Sequence, residues 1–260
     1  SALRTRWWDF ILAGVFMGLS FLGKGPVAFY ALLLPFLITY ITLYRPSFKH
    51  RWWPVLLMIL IFCLISFWWP VYLYFYHPEN AVGAIAREST AWLERNVRPW
   101  YYYWLFFAES GVWSLFLLTG LIGWPWLRKK ITERKEYTSA VAWTLLTIVL
   151  LSLFPEKKTR YLLPVLIPAA MVVAHYLSYI FNAERISQLT RGDKIMFRIN
   201  AFLPATIALA APVGIYFLFY KSQEISLILF ITISVLLLLA SISIFAGGIK
   251  LKTLKVVTGI

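Results

Sequence analysis

Four cations stand where this chain is otherwise apolar. Lys157, Lys158 and Arg160 fall between the runs 139–154 and 161–181, and Lys24 interrupts the run 7–44. A Lys or Arg inside a membrane costs about 2.5–3.5 kcal/mol on insertion scales, so such a group calls for an anion. Both cationic turns also open new helices, near Pro26 and near Tyr161. Helix N-termini present unpaired N–H groups and partial positive charge. Lys24, Lys157, Lys158, Arg160 and the helix start at Tyr161 therefore read as a cradle for a phosphate-bearing ligand. Snorkelling of the same side chains to a membrane surface is the competing reading.

A second group is Arg98-Pro99-Trp100-Tyr101-Tyr102-Tyr103-Trp104. Trp100, Tyr101, Tyr102 and Tyr103 could form a wall that stacks on a sugar or an isoprenoid chain, with Arg98 turned to phosphate. An aromatic belt at headgroup level is the plainer alternative. Glu109 is the one carboxylate within an apolar run away from helix ends, and serves either as a counter-ion or, weakly, as a catalytic candidate. An outer-face general base would otherwise have to be Glu79, Glu88, Glu94 or Glu156, or come from a part of the protein outside this sequence, because Asp9 and Asp193 fall in segments predicted to be cytoplasmic. With one cysteine, Cys63, and three histidines, His50, His77 and His175, neither an internal disulfide nor a metal site is expected. No nucleotide- or dinucleotide-binding motif occurs, and no cofactor is expected.

The elements that must hold these residues follow from composition. Of 260 residues 61% are hydrophobic and 14% charged, and repeated apolar runs of about 20 residues mean membrane spans. The runs are 7–22, 27–44, 52–74, 105–127, 139–154, 161–181, 201–220 and 225–247. The expectation is an all-α polytopic transmembrane bundle of about eight spans, read as one transmembrane domain over 1–260. The loop 75–104 carries Ala81, Ile85, Trp92 and Leu93 at helical spacing, which predicts a short interfacial helix. The spans entering the two cationic turns, 7–22 and 139–154, would cover only about 24 Å, so the turns would sit recessed or the bilayer would thin. Pro164 and Pro168 remove backbone donors early in the following helix. The net charge of +14 is spread between spans rather than over one polar face, which speaks for anionic lipid and against nucleic acid. With a cytoplasmic start, 17 Lys and Arg lie inside and eight outside (Lys24, Arg87, Arg95, Arg98, Lys157, Lys158, Arg160 and Lys221). The positive-inside rule selects this orientation. It puts Lys24, the aromatic loop and 156–160 on one outer face.

Gly18-Leu19-Ser20-Phe21-Leu22-Gly23-Lys24-Gly25-Pro26 resembles the Lys-Gly-Pro turn of the polytopic GT-C glycosyltransferases, nearest the aminoarabinose transferase-like group (family 83, related to the protein O-mannosyltransferases). Arg98–Tyr103 resembles the aromatic segment of their outer loop, and Lys157–Pro168 their cationic helix start. The three motifs occur in order within 10–181, while 201–260 contributes only hydrophobicity. The resemblance implies a membrane enzyme that moves a sugar from a polyprenyl-phosphate donor to a lipid (lipid A-like) or glycan acceptor. It implies the periplasmic face of a bacterial inner membrane, with Lys24, Arg98, Lys157, Lys158, Arg160 and Tyr161 at the donor phosphate. The family's catalytic aspartate lies in an early outer loop with no counterpart here. The chain therefore reads as the C-terminal half of the membrane domain, inactive alone, either a piece of a longer protein or lacking its start. A lipid-phosphate flippase or transporter subunit is the alternative, and a purely structural membrane subunit a third. The two units made of a span, a cationic turn and a span share one orientation, which disfavours inverted-repeat transport.

Overall fold

The computed structural model describes residues 7–25, 27, 29–46, 52–79, 82–83, 86–87, 90, 94, 96–185 and 187–260, with the backbone alone at Lys24. Regular structure among them is helical, and the one extended pairing is an isolated antiparallel bridge between Val97 and Glu156. Helix is the form an apolar chain must take in lipid, because each backbone N–H and C=O has to find its partner within the segment. This is an integral membrane protein. Among the described residues five helices are long and apolar enough to cross a membrane, up to six if a bent pair is one span, and two apolar helices are shorter. Each of the eight apolar runs holds helix among its described residues, with five to six of the helices long enough to span against the eight spans expected.

The chain divides into two compact units. The first comprises Ser1–Phe106 and Ser139–Ala169, the second Phe107–Thr138 and Ala170–Ile260. In the first, α1 (Trp7–Lys24) packs on α3 (Trp52–Tyr76) through Gly14 and Gly18. A Cβ built on Gly14 would stand 2.6 Å from the Met58 carbonyl oxygen, and one on Gly18 would stand 2.7 Å from Ile65 Cβ. Small residues at these two places let the backbones approach. α1 stops at Lys24 because Gly25 takes a left-handed conformation (φ 62°) and donates to the Phe21 carbonyl. α2 (Phe29–Tyr44) opens with a π-helical turn, Phe29–Leu33. That turn packs against the 3-10 turns Thr159–Val165, and Tyr30 stacks on Phe154 with ring centroids 4.1 Å apart.

Next in the chain comes a broken element. α4 (Trp100–Glu109) and α5 (Gly111–Ile122) meet at Ser110–Gly111, where the axis bends by 91° and Gly111 has φ 70°. The run 105–127, expected as a span, is thus not one continuous helix, and the left-handed Gly111 stands at the break. A short helix, α6 (Trp124–Leu127), follows. α7 (Arg134–Leu153) starts five residues before the expected run and has 20 residues. At 1.5 Å per residue that is about 30 Å, a full crossing. The expectation of a short span entering the 156–160 turn is therefore overturned. Its charged first turn is helical although it is not apolar, and hydropathy alone missed it.

α8 (Thr159–Arg185) begins as 3-10 turns and becomes α-helical at Leu166. Pro164 and Pro168 explain this, since neither can donate the bond that a first α-turn would need. In the second unit α9 (Arg191–Tyr220) and α10 (Leu227–Lys250) pack together, and α11 (Thr253–Gly259) lies on α10. Thr190 and Asp193 form a capping box at the start of α9, and Lys130 Nζ reaches the buried Asp193 at 3.0 Å. A buried chain of bonds runs from Thr119 to Asn200 (3.0 Å) and from Asn200 to the Tyr176 hydroxyl (3.2 Å). The interfacial-helix residues Ala81, Ile85, Trp92 and Leu93 lie outside the described residues. Val82, Gly83, Ala86 and Arg87 are helical.

Candidate functional site: a cationic turn clamped by tyrosines

The turn between α7 and α8 has extended backbone, with Lys158 at φ −127° and ψ 130° and Glu156 in the bridge to Val97. Successive side chains on an extended chain point to opposite sides. Lys157 therefore turns away from the side shared by Glu156 and Lys158, and the two lysines have different fates.

Lys157 is 4% exposed. Its ammonium donates to the carbonyl of Ser152 at 3.2 Å and to that of Phe154. It thus caps the C-terminus of α7, where carbonyls lack helical partners and the helix dipole is negative. Burial holds its pKa below the ordinary lysine value. Lys158 Nζ lies 2.5 Å from Glu156 Oε1, and this carboxylate is nearly enclosed. The carboxylate raises the Lys158 pKa, against a smaller opposing effect of burial. Glu156 Oε2 accepts from the Tyr161 hydroxyl at 3.3 Å. Two of the three clustered cations are therefore satisfied by the chain itself. Arg160 is exposed, and among the described residues no carboxylate pairs with it. Its guanidinium carbon lies 5.9 Å from the Tyr161 ring centroid, and Lys158 Nζ lies 5.7 Å from the same ring.

The aromatic segment binds directly to this turn. The Tyr103 hydroxyl accepts from the Lys158 backbone N–H at 2.9 Å and donates to its carbonyl at 3.3 Å. Tyr102 and Thr159 share a hydroxyl–hydroxyl bond at 3.0 Å, and the Lys157 N–H donates to the Asn96 carbonyl at 3.1 Å. Asn96 reaches this position with φ 54°, a conformation that asparagine tolerates better than most residues. Tyr103 is fully buried, so its ring is a structural clamp and does not line a surface. Trp100 (67% exposed) and Tyr101 (55% exposed) remain open to a ligand or to lipid, as does Arg98. Trp100 meets Tyr101 and Trp104 edge to face.

Lys24 has its backbone at the last residue of α1, and its side chain lies outside the described residues, as do Pro26, Glu88 and Arg95. Glu109 is exposed beside the break at Ser110, with no ion pair among the described residues. Sequence reasoning did not assign three contributors to the turn: Glu156 as the partner of Lys158, Asn96 as the hinge of the bridge, and Tyr30 on Phe154. The signal for the first was present, because residues two apart share a side wherever the chain is extended.

Comparison with curated proteins gives relatives that share a description. An undecaprenyl phosphate-alpha-4-amino-4-deoxy-L-arabinose arabinosyl transferase of Pseudomonas aeruginosa (strain UCBPP-PA14) is 27% identical over 233 residues, covering 83% of this chain and 38% of the relative. The proteins of that description from Aeromonas salmonicida (28% identical; 77% of this chain, 35% of the relative) and Proteus mirabilis (27%; 82% and 37%) agree. The chain is homologous to these transferases. The chain spans less than two fifths of the length of the relatives cited. No family model and no solved structure matches it.

Proposed function

We propose that the chain forms part of a membrane glycosyltransferase that takes its sugar from a polyprenyl-phosphate donor, with the turn 156–161 at the donor phosphate. The observation that carries this reading is Arg160, exposed at the head of a membrane helix beside Lys158 and without a carboxylate partner among the described residues. The relatives' description, which names an undecaprenyl phosphate-linked sugar, supports the choice of anion. In such a transfer the bond between the anomeric carbon and the phosphate oxygen breaks, and its electron pair stays on the phosphate. An acceptor oxygen bonds to the carbon and gives up its proton. Charge grows on the phosphate as the bond breaks, so fixed cations there stabilise the transition state more than the bound donor. Arg160 and Lys158 would serve this purpose, Lys24 would approach from the end of α1, and Arg98, Trp100 and Tyr101 would flank the sugar or the lipid. Lys157 would hold the turn in place. The acceptor would be a lipid of the lipid A type or a glycan, and the reaction would occupy the periplasmic face of the bacterial inner membrane without a resident cofactor. The base for an acceptor hydroxyl is left to residues other than the turn, with Glu109 the weak candidate within the chain.

Arg160→Ala and Lys24→Ala in the protein, assayed for donor binding and transfer beside membrane insertion, test the reading. Each should lower transfer by about 100-fold or more, as removal of one charge-stabilising donor does, with insertion unchanged. Ordinary activity in both variants would overturn it.

A further inference from the structure

Glu156 stands outside the cation motif, and its burial calls for a reason. Lys158 Nζ lies 2.5 Å from one carboxylate oxygen and the Tyr161 hydroxyl 3.3 Å from the other, while the residue is 6% exposed. Withdrawing Lys158 would leave a buried carboxylate without its cation, which opposes any ligand that takes the lysine away. Lys158 is the more open of the two, with 23% of its side chain exposed against 7%, and its long stem can move. A phosphate that reaches Arg160 therefore meets a second cation already held by a competing anion.

We propose that Glu156 is a resident counter-ion that occupies Lys158 in place of a lipid phosphate, and so limits how tightly that phosphate is held. This rests on the reading of the turn as a phosphate site. The ligand class it discriminates is a phosphate monoester on an isoprenoid chain against the corresponding diester. A monoester carries a charge of about −1.5 to −2 near neutral pH, whereas a diester carries one unit. The more charged group competes better with a carboxylate for the same ammonium. Glu156 takes the lysine back when the monoester leaves, so the site can favour the departing phosphate without trapping it.

The test uses the protein in nanodiscs of neutral lipid. Titrants are farnesyl phosphate, its methyl diester, farnesol and inorganic phosphate, and the variants are Glu156→Gln, Lys158→Gln, their double and Arg160→Gln. Glu156→Gln should bind farnesyl phosphate about tenfold more tightly, and the gain should vanish in the Lys158→Gln background. The gain should be smaller for the diester. Arg160→Gln should weaken the monoester in every background. If Glu156→Gln binds farnesyl phosphate as the parent does or more weakly, while Lys158→Gln and Arg160→Gln both weaken it, Glu156 is not a competitor and the proposal fails with the phosphate site intact. If farnesyl phosphate binds no better than farnesol and Arg160→Gln changes nothing, the phosphate site itself fails. Inorganic phosphate bound as tightly as farnesyl phosphate would overturn the lipid source of the anion. Should Glu156→Gln fail to fold, Glu156→Asp is the second variant. It keeps the charge but draws the carboxylate back, and should tighten the monoester by a smaller factor; unchanged or weaker binding counts against the proposal.

Discussion

Lys157 and Lys158 are adjacent and chemically identical, yet one closes a helix and the other faces a carboxylate. The difference is geometric, because an extended backbone sends neighbours to opposite sides. A hydropathy reading sees only their shared charge, and it therefore assigned both to one anion. The distinction has a measurable pH signature. Glu156 raises the Lys158 pKa in the fold, so the stability this pair contributes is complete below the unfolded lysine value, about 10.4. It is lost as pH rises through the higher folded value. The Lys157 shift has the opposite sign, but it is common to the parent and a Lys158 variant and cancels in their difference. The melting-temperature gap between the parent and Lys158→Gln should therefore stay flat from about pH 7 to about pH 10 and close only above that. A gap that closes near neutrality would contradict the ion pair. Tyr103 can be tested beside it. Tyr103→Phe removes a hydroxyl that serves both the N–H and the C=O of Lys158; the C=O keeps the Tyr161 N–H at 2.9 Å, while the part-buried N–H loses its partner, at a cost of about 1–3 kcal/mol by thermal unfolding.

The elements were legible where apolarity marks them and illegible where polar chemistry does. The runs that became α1, α2, α3, α8, α9 and α10 could be read directly, and Pro164 with Pro168 announced an irregular start to α8. The first turn of α7 is charged and left no hydropathy signal, whereas the break at Gly111 follows Glu109-Ser110, a polar interruption too short to divide the run 105–127. The start of α9 did leave one, since Thr190-x-x-Asp193 has the spacing of a capping box. Gly14 and Gly18 have the spacing of a close-packing pair, and the structure shows what they meet. Gly14→Leu should lower thermal stability by about 1–3 kcal/mol, because the nearest atom is a backbone oxygen that cannot step aside. Gly214 of α9 is the control. A Cβ there meets nothing within 4 Å, and Gly214→Ala should leave stability unchanged or raise it slightly. Equal losses at Gly14 and Gly214 would mean that a general helix effect, and not the α1–α3 contact, is being read.

At the scale of the whole chain, the bridge between Val97 and Glu156 carries topological information that no hydropathy plot holds. Residues paired across it must lie at the same depth and on the same face of the membrane. The chain from 98 to 155 must then cross an even number of times. α7 is one crossing by length and hydropathy. The expectation is that the bent pair α4–α5 is the other, a broken span rather than a re-entrant loop. The same parity holds earlier, because the π-turn at Phe29–Leu33 packs on Thr159–Val165, and α2 and α3 must together bring the chain back to the face of Val97. On that expectation the basic stretch 128–135 is cytoplasmic by the positive-inside rule and the turn 156–160 is not. In a Cys63→Ser background, Arg98→Cys and Arg160→Cys should react with a membrane-impermeant maleimide from one side, and Lys135→Cys only from the other. All three positions are exposed, so burial does not limit the reagent. Labelling of Lys135→Cys together with Arg98→Cys would mean that α4–α5 returns to its starting face. In that case 156–160 would lie across the membrane from 96–103, and the tyrosine-clamped turn could not form.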